Sequence, residues 1–257
     1  MPETESPELL TEVRDGVLIV TINRPEAKNA MNAAAAQGIA DAMDRLDSDD
    51  SLRVAILTGA GGTFCSGMDL KGFLRGERPF VEGRGFGGIT EKGPVKPLIA
   101  AVEGYALAGG MELMISCDLV VANRNAKFGI PEAKRGLAAA AGGLVKLPTM
   151  IPPKIAMELA LTGEFIDAQR AYDLGLINRV TDGPALDAAL ELARAITANG
   201  PLAVRVSKQV INESAGWSLS ERWQKQGELT AQVFMSEDAR EGSLAFAEKR
   251  APNWKGK

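Results

Sequence analysis

The sequence predicts an α/β fold, with strands and helices mixed over its first 150 residues and helices dominating the last hundred. Three observations carry that expectation. Val17 to Asn23 places Leu18, Val20 and Ile22 on one face, the period-two pattern of a strand. Val54 to Thr58 and Leu98 to Val102 are short apolar runs that each lead into glycine, as buried strands feeding tight turns do. From Pro152 onward the apolar residues recur at helical spacing instead.

In chain order, the Val17 strand precedes a helix capped by Asn32, whose apolar stripe is Ala36, Ile39, Ala40, Met43 and Leu46. The Val54 strand ends in the cluster Gly59, Gly61 and Gly62. Gly72 to Gly93 is rich in glycine and charge and reads as a mobile loop. It contains a literal G-x-G-x-x-G at Gly83, Gly85 and Gly88, but no strand precedes it, so it is not read as a dinucleotide site. The Leu98 strand runs into Gly104, and Leu119 to Ala122 is a further strand. Leu186, Leu190, Ala193 and Ile196 mark one helical face, and Leu219, Trp223, Thr230 and Val233 another. Pro201 opens a helix at a favourable first position. The change of character puts a boundary near Pro148 to Pro153.

Composition narrows the chemistry. The net charge of -4 over 257 residues argues against nucleic acid or an anionic membrane surface as the main partner. There is no histidine, which removes Ser-His-Asp triads, Cys-His pairs and His-ligated metals. The two cysteines, Cys65 and Cys117, make neither a zinc site of cysteines nor a disulfide framework, so a reducing compartment fits. Acid-base work falls to carboxylates, lysine, tyrosine or water. The stretch Met1 to Asp15 is acidic and lacks the basic start and apolar run of a leader. Glu103, Glu112 and Asp118 interrupt the longest apolar stretch, so no membrane span is expected, and the location expected is cytoplasmic.

Two places combine a strand, a glycine turn and a helix start: Phe64 to Lys71, and Gly104 to Glu112. Small residues let backbone approach a ligand, and the first amides of a helix are unpaired, so either place suits an oxygen that becomes negative during reaction. On glycine content alone, plain strand-to-helix turns account for both places more readily than a catalytic site does. Glu112 and Glu132 each fall where a helix begins, the second behind Pro131. A first-turn glutamate is stabilised by the helix dipole, which also keeps it ionised as a base requires. A general acid needs its pKa raised by burial or a second carboxylate, and two converging glutamates would share that task.

These segments resemble the crotonase (enoyl-CoA hydratase/isomerase) superfamily over nearly the whole chain. The resemblance runs through Asn23-Arg24-Pro25 with Asn29-Ala30, Leu57-Thr58-Gly59, Phe64 to Lys71, and Lys96-Pro97 to Val102. It continues through Gly104 to Glu112, Cys117-Asp118, Phe128 to Glu132, Leu161-Thr162-Gly163, and Glu237-Asp238 to Arg250. It implies a spiral of ββα turns over residues 1–195 and a helical C-terminal trimerisation region over 196–257, giving a homotrimer or homohexamer. The implied substrate is an acyl-CoA thioester, with no metal or redox cofactor, coenzyme A entering as part of the substrate.

By position, the resemblance assigns the two amides that hold the thioester oxygen to Met68 and Gly109. It makes Glu112 the base toward water and Glu132 the donor of a proton to the alpha carbon. Met68, Asp69, Leu70 and Lys71 would line the acyl-CoA channel, Ser66 would offer its carbonyl to the adenine, and Phe246 with Lys249 would complete the coenzyme A site, often across a subunit boundary. The leading implied activity is hydration of a trans-2-enoyl-CoA in fatty acid or related acyl-CoA degradation. Ala138 to Gly143 replaces the glycine-rich turn of many hydratases, and alanine at 140 argues against the relatives that carry a catalytic aspartate there. Glu132-Ala133-Lys134, Leu147-Pro148 to Pro153 and Glu248 to Lys257 resemble carnitinyl-CoA dehydratase. That reaction, 3,2-enoyl-CoA isomerisation and a non-catalytic acyl-CoA-binding role are the alternatives.

Overall fold

The computed structural model describes residues 8–257, so residues 1–7 of the acidic stretch Met1 to Asp15 lie outside the described residues. Strand β1 (Leu9–Arg14) turns through Asp15 and Gly16, both at positive φ, into antiparallel β2 (Val17–Ile22). Helix α1 (Ala33–Ser48) follows, and the Asn32 side chain caps it by accepting from the Ala35 amide at 2.9 Å. Its expected stripe, Ala36, Ile39, Ala40, Met43 and Leu46, is buried throughout. Strand β3 (Val54–Gly59), short helix α2 (Leu70–Leu74), and the two-residue strands β4 (Phe80–Val81) and β5 (Gly85–Phe86) come next. They lead to β6 (Leu98–Val102), β7 (Tyr105–Leu107), α3 (Gly109–Met114), β8 (Leu119–Asn123) and β9 (Lys127–Gly129).

The second half holds α4 (Gly143–Met150), α5 (Pro153–Thr162), β10 (Ile166–Asp167), α6 (Ala168–Asp173) and β11 (Arg179–Thr181). It ends in α7 (Ala185–Thr197), α8 (Pro201–Ser214), α9 (Arg222–Phe234) and α10 (Glu237–Glu248).

The main sheet runs β1-β2-β3-β6-β8-β11 and is parallel from β2 onward. A parallel sheet must be covered on both faces. Leu18, Val20 and Ile22 point into the larger core beneath α1, whereas Val17 and Ile19 join Val54, Ile56 and Ile99 under Ala185, Ala189, Leu190 and Ala193 of α7. The α7 face read from the sequence is therefore the lid of the second core. Glu103 fixes that helix by accepting from the Ala185 amide at 2.6 Å. A smaller sheet runs β10-β9-β7, and the segment after β3 bridges to it through Cys65 and Ala106.

Several expectations are corrected. The edge strand β1 escaped notice because only Leu9 of its six residues is buried. The Gly72 to Gly93 segment is not a loose loop: β4 pairs with β5, Phe80 meets Phe86 edge to face at 5.6 Å, and Phe86 and Ile89 are buried. Its glycines at positive φ make the turns that let those side chains reach the core. Beyond Pro152 the chain is not purely helical, since β10 and β11 return to the sheets, each too short to show a period. Leu219 lies before α9 and Trp223 is 71% exposed, so of that stripe only Thr230 and Val233 are partly covered, where α9 packs against its neighbouring helices. Pro148 sits inside α4, and Pro153 opens α5.

Candidate active site

The segment after β3 is tied alongside β7: the Cys65 amide donates to Tyr105 O at 2.9 Å, and the Leu107 amide to Cys65 O at 3.0 Å. Asn29 supports this segment from beneath. It is fully buried, and its side chain accepts from the Arg24 amide and donates to the carbonyls of Ala60 and Thr63. The Ser66 amide donates to Lys28 O, the Met31 amide to Gly67 O at 2.7 Å, and the Asp69 amide to Met31 O at 2.9 Å. Met68 is thus pinned on both sides while its own amide stays out of the pattern.

Gly67 has φ of 106°, and a Cβ placed on it would lie 2.8 Å from Ala108 Cβ and 3.3 Å from Gly109 N. Only glycine brings the two strand-to-helix turns this close. Ala108 itself adopts φ of 52°, an unusual angle for alanine, directly before Gly109 opens α3. A Cβ on Gly110 would stand 2.0 Å from Cys65 O, and one on Gly109 2.5 Å from the Phe86 ring. Among the described residues, neither the Met68 nor the Gly109 amide donates a hydrogen bond. Two unengaged donors in adjoining turns are what a developing oxyanion needs.

Both residues line one cavity of about 670 Å³, together with Ser66, Leu70, Phe86, Glu112, Glu132 and the Leu137 to Ala141 stretch except Ala139. The two glutamates expected to converge do share this space. Glu112, only 3% exposed, sits in α3, and its Oε1 accepts from the amides of Ala141 and Gly143, each at 2.8 Å. Burial pushes its pKa up, while those two amides and the nearby Lys146 oppose the rise. Glu132 lies in a 3-10 turn, Pro131–Arg135, rather than the α-helix expected, with Pro131 at its start. Its buried Oε2 has no hydrogen-bond partner among the described residues. Burial raises the Glu132 pKa to about 7, and the charge of Glu112 pushes the same way, against its own amide and Arg135. The site therefore holds one carboxylate with hydrogen bonds that favour its ionised form and another that readily keeps a proton.

Not every expected residue reaches this space. Asp69 does not line the cavity: its carboxylate caps α2 through the Lys71 and Gly72 amides and pairs with Arg24 at 2.9 Å. Its short side chain is used locally, as at other helix starts. Lys71 is exposed and outside the lining. Phe246, 88% exposed on α10, borders a separate groove with Val233 and Trp254, and Lys249 ends that helix at φ of 54°. The buried Cys65 thiol is pushed up to about 12 by desolvation, and the buried Cys117 thiol is pushed up for the same reason, which leaves neither as a nucleophile.

Sequence reasoning missed Lys28, Arg78 and Arg135, which line the cavity, and the Ala141 and Gly143 amides that hold Glu112. The Gly142-Gly143 pair at the start of α4 was the available signal: Gly142 takes φ of 110°, and a Cβ on Gly143 would lie 3.1 Å from Glu112 Oε1.

The family model described as enoyl-CoA hydratase/isomerase matches residues 12–257. The chain is 45% identical to an enoyl-CoA hydratase, EchA19, of Mycobacterium tuberculosis, over 98% of this chain and 97% of that protein. It is 42% identical to a carnitinyl-CoA dehydratase of Proteus mirabilis, over 95% and 97% respectively. A crystal structure of an enoyl-CoA hydratase from Mycobacterium tuberculosis H37Rv superposes with a TM-score of 0.96 at 60% identity, covering 98% of this chain and all of that one. The spiral crotonase fold expected from the resemblance is the fold observed. With the match spanning both glutamates and both free amides, the chain belongs to the enoyl-CoA hydratase/isomerase family.

Proposed function

We propose that this protein is an enoyl-CoA hydratase, adding water reversibly across the 2,3 double bond of a trans-2-enoyl-CoA. The observation that carries the reading is the pairing of two carboxylates of unequal proton affinity in the one cavity that also presents the Met68 and Gly109 amides. The thioester oxygen accepts from those amides, so that charge moving onto it is stabilised; one such donor is worth about 3 kcal/mol in comparable sites. Water lies between the glutamates. Ionised Glu112 takes its proton as the oxygen attacks C3, and protonated Glu132 delivers a proton to C2. The pair ends with the proton exchanged between its members, ready for the reverse reaction.

In this reading Ser66, Leu70 and Lys71 contact the coenzyme A portion, and Phe246 with Lys249 complete that site from a neighbouring copy in a homotrimer or homohexamer. The division into a core over 1–195 and a C-terminal helical region over 196–257 follows the same logic. Exposed Trp223, Phe234, Met235 and Phe246 are compatible with it. No resident cofactor is required, and a cytoplasmic role in fatty acid or related acyl-CoA degradation fits. No helix among the described residues is long and apolar enough to cross a membrane.

The second reading is dehydration of a carnitinyl-CoA, favoured by the Proteus relative and using the same two glutamates. The cavity lining carries Lys28, Arg78 and Arg135 and no acidic side chain besides Glu112 and Glu132, which disfavours a quaternary ammonium, whereas Phe73, Phe80, Phe86, Tyr105 and Phe165 in the same lining offer ring faces that attract one. Turnover of crotonyl-CoA, crotonobetainyl-CoA and a 3-enoyl-CoA tests the choice. Hydration of crotonyl-CoA with the highest kcat/KM supports the proposal; preference for either other thioester, or binding without turnover, contradicts it.

A further inference from the structure

Lys146 is a half-buried lysine on α4 that the reaction as drawn does not use. Its ammonium donates to Thr90 O at 2.7 Å and to Ser116 Oγ at 2.8 Å. Lysine has no acceptor, so Ser116 must accept from it and turn its own hydrogen elsewhere. That hydrogen goes to the main-chain oxygen of Glu112 at 2.7 Å.

One cation thereby fastens three pieces of the site. The first is α4, whose Gly143 amide holds Glu112 Oε1. The second is the end of α3, which carries Glu112. The third is Thr90, in the segment whose Phe86 ring packs against Gly109.

Among the described residues Lys146 has no carboxylate within ion-pair distance. An ammonium withdrawn from water without an ion-pair partner is costly, and hydrogen bonding alone would be met by an uncharged donor. The titratable groups around it are Glu112 and Cys117 from α3 and its C-terminal turn, with Glu132 beyond Glu112. Asp118 is already paired with Lys208 at 2.7 Å. Burial lowers the Lys146 pKa, while Cys117 and Glu112 act to raise it; Lys146 in turn acts on Glu112 in the opposite sense.

We propose that Lys146 is a positioning residue for the reaction: it locks the Glu112 helix to α4 and to the Phe86 segment and sets the fixed positive charge beside which Glu112 acts. This rests on Glu112 being the base in hydration. The test measures kcat and kcat/KM for crotonyl-CoA from about pH 5 to 9 in wild type, Lys146→Met, Lys146→Arg and Glu112→Gln. In Lys146→Met, kcat is expected to fall about tenfold with KM within about twofold, and the acid limb to move up by roughly one pH unit, the low end of what a nearby opposite charge supplies. Lys146→Arg restores the wild-type limb.

An acid limb in Lys146→Met that coincides with wild type overturns the proposal, whatever its thermal stability, and so does a Lys146→Arg profile displaced like that of the methionine variant. If Lys146→Met does not fold, Lys146→Gln keeps a donor and loses the charge; a raised limb there supports the proposal and an unmoved one overturns it. The two levels separate cleanly. Hydration surviving in Glu112→Gln removes the base itself, whereas an inactive Glu112→Gln beside an unmoved Lys146→Met limb sinks the inference about Lys146 alone.

Discussion

The main-chain amide of Gly143 donates to Glu112 Oε1 at 2.8 Å, joining the first turn of one helix to a carboxylate that lies 31 residues earlier in the chain. The space there is tight: a Cβ on Gly143 would lie 3.1 Å from Glu112 Oε1 and 3.1 Å from Ala139 Cβ, so a methyl group would push the carboxylate aside by a few tenths of an ångström. Gly143→Ala is therefore expected to lower kcat for hydration about tenfold, equivalent to about 1.4 kcal/mol of misplaced carboxylate. Steady-state kinetics beside a melting curve check this; unchanged kcat would show that Glu112 tolerates displacement.

Gly67 bears the close approach of the two turns. Its φ of 106° and the 2.8 Å separation from Ala108 Cβ both penalise a methyl group. Gly67→Ala should separate the Met68 and Gly109 amides and reduce kcat roughly a hundredfold, the scale of losing one oxyanion donor. The measurement is hydration of crotonyl-CoA by the folded variant, and near-normal turnover would argue against a role for these amides.

Asn29 gives a prediction about stability. Its side chain serves the Arg24 amide and the carbonyls of Ala60 and Thr63 while fully buried. Asn29→Ala strands these groups and should cost about 3 kcal/mol, since each buried unsatisfied group costs about 1–3 kcal/mol. Urea unfolding measures it directly.

The pH profile follows from the carboxylates. Glu132 donates its proton only when protonated, and burial with the Glu112 charge holds its pKa at about 7. As pH rises through that value the acid is lost, so kcat/KM for hydration falls on the alkaline side of about pH 7. The acid side falls as Glu112 becomes protonated, and because the two carboxylates interact, the apparent limbs belong to the pair. A profile flat through the neutral range would contradict the assignment of Glu132 as acid.

Local patterns made part of this molecule legible. The α1 stripe from Ala36 to Leu46, the Asn32 cap and the α7 face around Leu190 each follow from a period or a cap that needs no distant partner. The site residues Met68, Gly109, Glu112 and Glu132 were legible through ordered motifs, and they do share one cavity. What stayed hidden depends on packing between remote segments. Phe86 is buried because it meets Gly109, which glycine-rich surroundings disguised as a loop. Lys146 matters through Thr90 and Ser116, neither of which is near it in sequence. Asp69 shows the converse: a residue in the right motif, used instead as a helix cap and a partner for Arg24.

The most direct measurement is hydration of crotonyl-CoA by Glu112→Gln and Glu132→Gln, with binding of a non-reacting acyl-CoA measured alongside. Both variants are expected to lose about a thousandfold in kcat, within the range of general acid-base catalysis, while thioester affinity changes little. Full turnover in either variant would contradict the claim that these two carboxylates, working as one acid and one base, carry the reaction.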